Sequence, residues 1–347
     1  MAERVLTQRE LNRATLARQL LLQRKRLPAS AVIERLGGMQ AQWPPAPYVG
    51  IWSRASSFKR EALERQLFAG DVVKASLMRN TLHLVTRRDY AVFWTALHDI
   101  PSWPDAAAIS EGVRIAPLIR ELALAGRLRT SEALAYLERE HGLDVDVHRT
   151  RVWHVARTRS HVTHAPETAL WSSRPLGLFA PLDEPELVEK LVAIRDVVRR
   201  YLAAFGPASR ADIATWSGMR IGDFSPALET LEPLRRFRDE RGRELLDLPR
   251  ATLPSADVPA PVRLLPKWDN LLLSHDDRTR VLPEEYRKLM IAKNGDVAQA
   301  ILVDGVVAGE WVSDKRGKIT VTAYAPLPRV ARRAVDDEAA RLEAWLR

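Results

Sequence analysis

The chain repeats one order of secondary-structure patterns three times. Each copy begins with three stretches in which apolar residues recur at helical spacing, and it ends in two short alternating segments that are typical of a β-hairpin. The repeat lies in the order of the elements, because the residues themselves show no periodicity. This order restricts the chain to a series of small units that each combine helices with a hairpin.

The first copy begins at Thr7, which forms a capping box with Glu10 and so predicts the start of a helix. Pro44 and Pro45 follow the second helical pattern, and we expect an extended chain there because proline disrupts the interior of a helix. The remaining elements are two helices and two strands, predicted over 31–36, 60–69, 72–77 and 82–86.

The second copy contains three predicted helices and a strand pair, over 113–125, 131–140 and 148–159 and in the segments HVTHA and ALWSS. The third copy contains three helices, predicted over 184–205, 209–216 and 224–234, and a hairpin that turns at Arg241-Gly242. Three helices followed by a hairpin is the plan of a winged-helix module. The sequence therefore predicts an α+β fold with three tandem winged-helix (helix-turn-helix) modules, and an α+β protein with unrelated hairpins remains the alternative.

The end of the chain has a different pattern. Prolines between 254 and 266 predict a linker, and the short alternating segments after it predict a small C-terminal β-barrel. A closing helix is predicted over about 328–346. We therefore expect four domains, with winged helices over 1–100, 101–183 and 184–255, and the barrel with its closing helix over 256–347.

Composition restricts the function. The chain has no cysteine, which excludes disulfides and thiolate chemistry, and no apolar run approaches the roughly 20 residues of a membrane helix. We expect a soluble, cytoplasmic, nucleoid-associated protein that does not bind membranes. The 53 lysines and arginines exceed the 44 acidic residues, giving a net charge of +9. This excess favours nucleic acid as a partner, although a codon bias toward arginine would produce the same charge.

The motifs of common cofactor enzymes are missing: the sequence contains neither GxxxxGK[ST] nor GxGxxG, and neither HExxH nor GxSxG. We therefore expect no metal and no cofactor. His275 with Asp276 and Asp277 is the one group that suggests a metal, but adjacent residues are poor chelators without distant partners. A structural role is the better interpretation, with Asp269 and Arg278 expected to pair.

Two glutamines are the first candidate site. Gln40 and Gln42 precede the two prolines, and in an extended chain residues two apart face the same way. Two primary amides in one space can hold a water molecule between them, since each has two donors and an acceptor. The alternative is a pair of exposed glutamines in a surface loop.

Basic residues form the second set of candidates. Arg79 and Asn80 lie at the turn between the first two predicted strands, and His83 follows on the second of them. The predicted helix 148–159 carries four arginines, and basic helices of helix-turn-helix units commonly contact phosphates. A buried core position for His83 and a solvated face for the helix are the alternatives. The proposed DNA-contacting residues are Arg79, Asn80, His83, Arg149, Arg151, Arg157 and Arg159.

Several segments together carry a resemblance to a known family. GGMQAQWPPAPYVGIWSR, MRNTLHLVTRRDY, ADIATWSGMR and LLPKWDNLLLSHDDR resemble the AlkZ and YcaQ family of bacterial DNA glycosylases over nearly the whole chain. The family carries Gln-x-Gln in its AlkZ branch and Gln-x-Asp in its YcaQ branch, so Gln40-Ala41-Gln42 is similar to the AlkZ branch. Some members of that branch protect producers of DNA-alkylating natural products from their own toxin.

The resemblance implies a fold and an activity. It implies three winged helices and a β-barrel around a basic concave face, and hydrolysis of the N-glycosidic bond of N7-alkylguanine, including N7-linked interstrand crosslinks. Gln40 and Gln42 match the two catalytic positions. The implied partner is damaged duplex DNA. Three different modules in one chain favour a monomer. A cationic base leaves without a cofactor, and because no lysine is assigned as a nucleophile we expect an abasic site as the product.

Two other functions remain open. A winged-helix transcriptional regulator would bind a discrete DNA site, commonly as a symmetric dimer. A non-catalytic damage binder would hold alkylated duplex and leave it intact.

Overall fold

The computed structural model describes residues 3–100, 105–143, 145–173, 177–182, 188–231 and 233–347, with the backbone alone at 145–150. The N-terminal part contains, in order, β1 (Val5–Leu6), α1 (Gln8–Arg18), α2 (Ala29–Arg35), β2 (Met39–Gln40), α3 (Pro45–Arg54), α4 (Arg60–Phe68), β3 (Val72–Ser76), β4 (Leu82–Thr86) and α5 (Arg87–Leu97). The capping box that predicted α1 is present, with the Thr7 hydroxyl accepting from the Glu10 amide. None of the described helices is long and apolar enough to cross a membrane.

The expectation of an extended chain at the two prolines was wrong. Pro44 already has helical backbone angles, and Pro45 is the first residue of α3. Proline is favoured at this position because the first helical N–H has no partner within the helix, and its φ is already close to the helical value. The extended part of the segment ends at Gln40.

The middle part contains α6 (Ala106–Ala125), β5 (Leu128–Arg129), α7 (Thr130–His141), α8 (Val145–Arg159), β6 (Val162–His164) and β7 (Leu178–Pro181). The three helices confirm those predicted in the second copy. The second strand of the pair was misplaced. Residues 166–169, where ALWSS begins, form a short 3-10 turn that starts at Pro166, and the next strand along the chain to pair with β6 is β7.

The third copy contains α9 (Lys190–Phe205), α10 (Arg210–Ser217), α11 (Ile221–Glu229), β8 (Arg235–Asp239) and β9 (Glu244–Asp247). Ser209 and Asp212 form a capping box at the start of α10. The hairpin turns at Gly242, whose φ of 78° lies in the left-handed region that glycine adopts without strain. Residues 183–187, at the predicted start of the first helix, lie outside the described residues.

The C-terminal part contains β10 (Arg263–Leu264), α12 (Arg287–Met290), β11 (Ala300–Val303), β12 (Val306–Ser313), β13 (Ile319–Ala323) and α13 (Arg329–Leu346). The predicted barrel was wrong. Over residues 256–347 the strands form an open antiparallel sheet in the order β10-β11-β12-β13, without a ladder between the two edge strands. The helix α13 places Val335, Ala339 and Leu342 in the core that contains Trp311 of β12, and a sheet covered in this way does not need to close.

The first two copies share one sheet. Its strand order is β2-β4-β3-β6-β7-β5, and the two halves meet where Lys74 of β3 pairs with His164 of β6. The apolar cores also cross the predicted units: one contains Val85 and Phe93 together with Tyr201 of α9, and a second contains Trp52 of α3 together with Trp311. The fold is therefore α+β with joined units, and the number of winged helices and the domain boundaries stay predictions.

Candidate active site

The short strand β2 positions the first candidate glutamine. Gln40 lies directly opposite His83 in the antiparallel pairing of β2 with β4, and side chains in such a pair share one face of the sheet. Both are buried, with 7% of Gln40 and none of His83 exposed to solvent. Gln40 is thus a core-facing residue at the edge of the sheet, which contradicts the alternative of an exposed loop glutamine at this position.

Arg79 holds the Gln40 amide. Its Nη2 donates to Gln40 Oε1 at 3.0 Å and to Asn270 Oδ1 at 3.2 Å, and its Nη1 donates to the main-chain oxygen of Trp216 at 2.7 Å. A guanidinium can only donate, so the oxygen of the Gln40 amide must face Arg79 and its NH₂ group must face away. The orientation of this amide is therefore fixed by chemistry.

The turn that carries Arg79 is strained. Arg79 and Asn80 have φ values of 53° and 55°, in the left-handed region that L-residues other than glycine rarely adopt. Burial, followed by the charge of Arg278, lowers the pKa of Arg79 to about 10, so it remains protonated at neutral pH. The three oxygens that it binds are all neutral, and its charge is not compensated by them.

Gln42 occupies a different environment from Gln40. Its side chain is exposed, and its Oε1 accepts from the backbone N–H of Leu82 at 3.3 Å. Because the chain leaves the extended conformation after Gln40, the two amides do not share one buried space as we expected. Both are nevertheless held by the same segment, residues 79–82.

His83 is a core histidine. Its Nδ1 lies 3.0 Å from the Thr81 carbonyl oxygen, which requires Nδ1 to carry the proton because a carbonyl only accepts. Burial, with a further contribution from the positive charge of Arg79, lowers the pKa of His83 to about 3. The ring is therefore neutral at physiological pH and cannot serve as a general acid. A DNA contact by His83 stays a prediction, and it requires the site to open.

The other candidate DNA contacts are spread over a wider area. Asn80 is partly exposed, and its Nδ2 lies 3.4 Å from the Ile100 carbonyl. Arg151 is exposed and pairs with Asp105 at 2.9 Å. Arg157 points inward instead, with its guanidinium within 3.3 Å of ring nitrogens of two histidines and its pKa lowered to about 10 by burial.

Two candidate arginines of α8 remain. Arg159 is partly buried, and the side chain of Arg149 lies outside the described residues. The basic helix thus does not present all its arginines on one face, although phosphate contact by any of them stays a prediction.

Residues 266–270 form the opposite wall of the site, which sequence reasoning missed. A recess beside Gln40 is lined by Gly38, Met39, Gln40, Lys267, Trp268 and Asn270, among others. The expected pairing of Asp269 with Arg278 was wrong. Asp269 forms a buried bidentate ion pair with Arg54, at 2.8 and 2.9 Å, while Arg278 donates to the His275 carbonyl.

The sequence contained one signal for this wall, the block Trp268-Asp269-Asn270, but no pattern identified its partners. Those partners lie on α3 and in the 79–80 turn, far away along the chain. His275 is buried and binds Ser274 and the Phe205 carbonyl. In the described part of the chain, no group of three or more potential metal ligands occurs.

Comparisons with known proteins show the family of the chain. The model of the family "DNA glycosylase AlkZ-like" matches residues 33–345. The interstrand DNA cross-link repair glycosylase of Streptomyces sahachiroi is 25% identical over 360 residues, covering 94% of this chain and 92% of that protein. The solved structure of the Streptomyces sahachiroi DNA glycosylase AlkZ has a TM-score of 0.82 at 21% identity, over 98% of this chain and 97% of that one, and is similar in fold. The family match covers most of the chain and confirms the resemblance: the chain belongs to the AlkZ-like DNA glycosylase family.

Proposed function

We propose that this protein is a monofunctional DNA glycosylase that hydrolyses the N-glycosidic bond of cationic N7-alkylguanine and unhooks N7-linked interstrand crosslinks, leaving abasic sites. The observation that supports it is the placement of Gln40 and Gln42, the two residues that match the family's catalytic motif. Both amides are held by residues 79–82, and Gln40 also lines a recess. The name of the relative, an interstrand DNA cross-link repair glycosylase, supports crosslinked DNA as a substrate.

In this proposal one water molecule lies between the two amides, at the boundary between the buried Gln40 and the exposed Gln42. Gln40 presents its NH₂ group, because its oxygen is bound to Arg79, and this group donates to the oxygen of a water molecule. Gln42 binds Leu82 through one lone pair of its oxygen, and the second lone pair accepts from the same water. A water held in this way keeps a lone pair free for attack on C1′ of the sugar.

Hydrolysis of a cationic adduct requires a positioned water and no general acid. N7-alkylation gives guanine a positive charge, so when the C1′–N9 bond breaks its electrons neutralise the base and no general acid is needed. The water oxygen forms the new bond to C1′ and its proton leaves to solvent. Amides stabilise the oxocarbenium-like state and activate water less than a carboxylate would. The site is therefore selective for cationic adducts and nearly inert toward normal bases.

No lysine serves as a nucleophile in this proposal. Lys267 lines the recess beside Gln40, but its ammonium group binds Asp296 at 2.9 Å and lies over the Trp268 ring. We therefore propose that the enzyme leaves an abasic site and forms no Schiff base. Borohydride added during the reaction is expected to trap no protein on DNA, and a trapped covalent complex would refute the monofunctional mechanism.

A bulky crosslink cannot easily be flipped into a tight pocket. We therefore propose an open site, used by a monomer, and a role in self-resistance to a DNA-alkylating natural product as the resemblance implies. A strain that expresses the protein is expected to survive higher doses of a bifunctional alkylator than one that expresses Gln40→Ala. Equal survival of the two strains would contradict that role.

The direct test uses a duplex that carries one N7–N7 nitrogen-mustard crosslink. The wild type is expected to unhook the two strands on a denaturing gel and to leave alkali-labile sites, while the variant with both Gln40→Ala and Gln42→Ala binds the duplex without unhooking it. Binding without unhooking by the wild type would instead indicate a damage binder, and a footprint at one discrete sequence would indicate a transcriptional regulator.

A further inference from the structure

We propose that Asn270 is a positioning residue that fixes the orientation of Gln40 through Arg79. The inference rests on the proposed function of Gln40 and deepens it. It assigns a role in the site to a residue from the C-terminal part of the chain, more than two hundred positions away from the Gln40 it positions.

Asn270 closes a ring of hydrogen bonds around Gln40. Its Oδ1 and the Oε1 of Gln40 accept from the same nitrogen, Nη2 of Arg79, at 3.2 and 3.0 Å. Its Nδ2 donates to the main-chain oxygen of Gly38 at 3.2 Å, two residues before Gln40. Asn270 thus holds both the backbone that leads into Gln40 and the guanidinium that binds the Gln40 side chain.

The structure fixes Asn270 itself. It begins a 3-10 turn and is 6% exposed, and the preceding Asp269 caps this turn by accepting from the Leu271 amide. Asp269 is held in turn by its buried ion pair with Arg54. Trp268, just before, has a φ of 52°, a conformation rare for so bulky a residue and one that persists only where the surroundings determine it. A rigid support of this kind suits a positioning role.

Position 270 requires an uncharged hydrogen-bond acceptor for Arg79. Arg79 binds only neutral oxygens, so the Gln40 amide does not compete with a carboxylate for the guanidinium. An aspartate at 270 would bind Arg79 more strongly than an amide does and would draw it away from Gln40. It would also lose the N–H that donates to Gly38. Both losses would leave the Gln40 amide free to rotate.

The test compares Asn270→Ala with Asn294→Ala, a matched control at an exposed position. We expect Asn270→Ala to lower the single-turnover rate of N7-methylguanine release about 10- to 100-fold, the cost of misplacing a catalytic group, with unchanged affinity for the duplex. Asn294→Ala is expected to react like the wild type. If Asn270→Ala fails to fold, Asn270→Asp preserves the shape of the side chain, and we expect it to be slow for the reasons given above.

A double variant separates positioning from a merely structural role. Combined with Gln40→Ala, Asn270→Ala is expected to cause no further loss of rate, because its effect passes through Gln40. Wild-type rates in both Asn270 variants, or an equal fold-loss in the presence and absence of Gln40, would overturn the inference while the role of Gln40 stands. Wild-type activity of Gln40→Ala would instead refute the proposed function on which it rests.

Discussion

At the scale of single residues, the site contains two arginines that are held in different ways, Arg79 by neutral oxygens and Arg54 by a carboxylate. Arg79 is held in a strained turn by neutral oxygens, and its charge lies beside the histidine and the glutamine that face it. Arg54 and Asp269 neutralise each other behind the recess, both side chains almost fully buried. The first arrangement leaves a positive charge beside Gln40 that no carboxylate neutralises, whereas the second holds the wall of the recess in place.

Removing one partner of the buried pair should be costly. Asp269→Asn leaves Arg54 buried without its counter-ion, and we expect the free energy of unfolding to fall by about 3–5 kcal/mol. The matched control is Glu244→Gln, which breaks an exposed pair with Arg236 and is expected to cost less than about 1 kcal/mol. Urea unfolding measures both, and equal losses in the two variants would contradict the role of Asp269.

Stability should fall as the pH falls below the ordinary histidine pKa. The folded protein holds the pKa of His83 at about 3, against an ordinary value of 6.5. Between these values the unfolded chain takes up a proton that the folded chain excludes, so His83 costs about 1.4 kcal/mol for each pH unit below 6.5. We expect His83→Gln to flatten the dependence of urea-unfolding stability on pH between 6.5 and 5 by up to this slope. An unchanged slope would show that His83 titrates normally.

At the scale of elements, local signals predicted most helices and two of the hairpins. Two helices begin at capping boxes, at Thr7 and Ser209, and glycines follow the ends of α2 and α4. These signals involve residues close in sequence, so the sequence alone predicts where the helices begin and end. Pro44 and Pro45 led to the wrong prediction of an extended chain, because proline disrupts the interior of a helix but is favoured in its first turn. The open C-terminal sheet was misread as a barrel because alternation predicts strands and says nothing about their closure.

Gly38 connects the end of α2 to β2, where space is tight. Its φ is 91°, and a Cβ there would lie 3.0 Å from Val85 Cγ1 and 3.1 Å from Met78 Cε. The control is Gly142, which has a φ of 64° and open space around the added Cβ. Both alanine variants should lose about 1–2 kcal/mol for the left-handed backbone. Gly38→Ala should lose about 1–3 kcal/mol more through crowding, and should also release N7-methylguanine more slowly. Equal urea midpoints for the two would contradict this account.

At the scale of the whole molecule, the apolar cores do not coincide with the units that the repeat predicts. One core joins β4 and α5 to α9 and α10, while the middle helices α6, α7 and α8 have a core of their own. Long-range packing of this kind leaves no signature in a single sequence. For the same reason the proposed catalytic pair could be named from the resemblance, whereas the hydrogen bonds that join Asn270 to Arg79 and Gly38 could not be predicted.

Hydrogen exchange should reveal this division. Amides in β4 and α9 share one core, so we expect them to exchange through the same opening, with the same free energy and the same response to urea. Amides in α6 are expected to exchange through a less costly opening of the middle unit. Different opening free energies for β4 and α9, measured by mass spectrometry at several urea concentrations, would contradict the shared core.

The single-turnover release of N7-methylguanine from a duplex with one such lesion tests whether Gln40 and Gln42 carry the reaction. The wild type, Gln40→Ala, Gln42→Ala and the control Gln66→Ala would be compared, with alkali used to reveal abasic sites. We expect release by the wild type and by Gln66→Ala, and strongly reduced release by Gln40→Ala and by Gln42→Ala, both of which should still bind the duplex. Release at the wild-type rate by Gln40→Ala and Gln42→Ala would contradict the claim that these two amides carry the reaction.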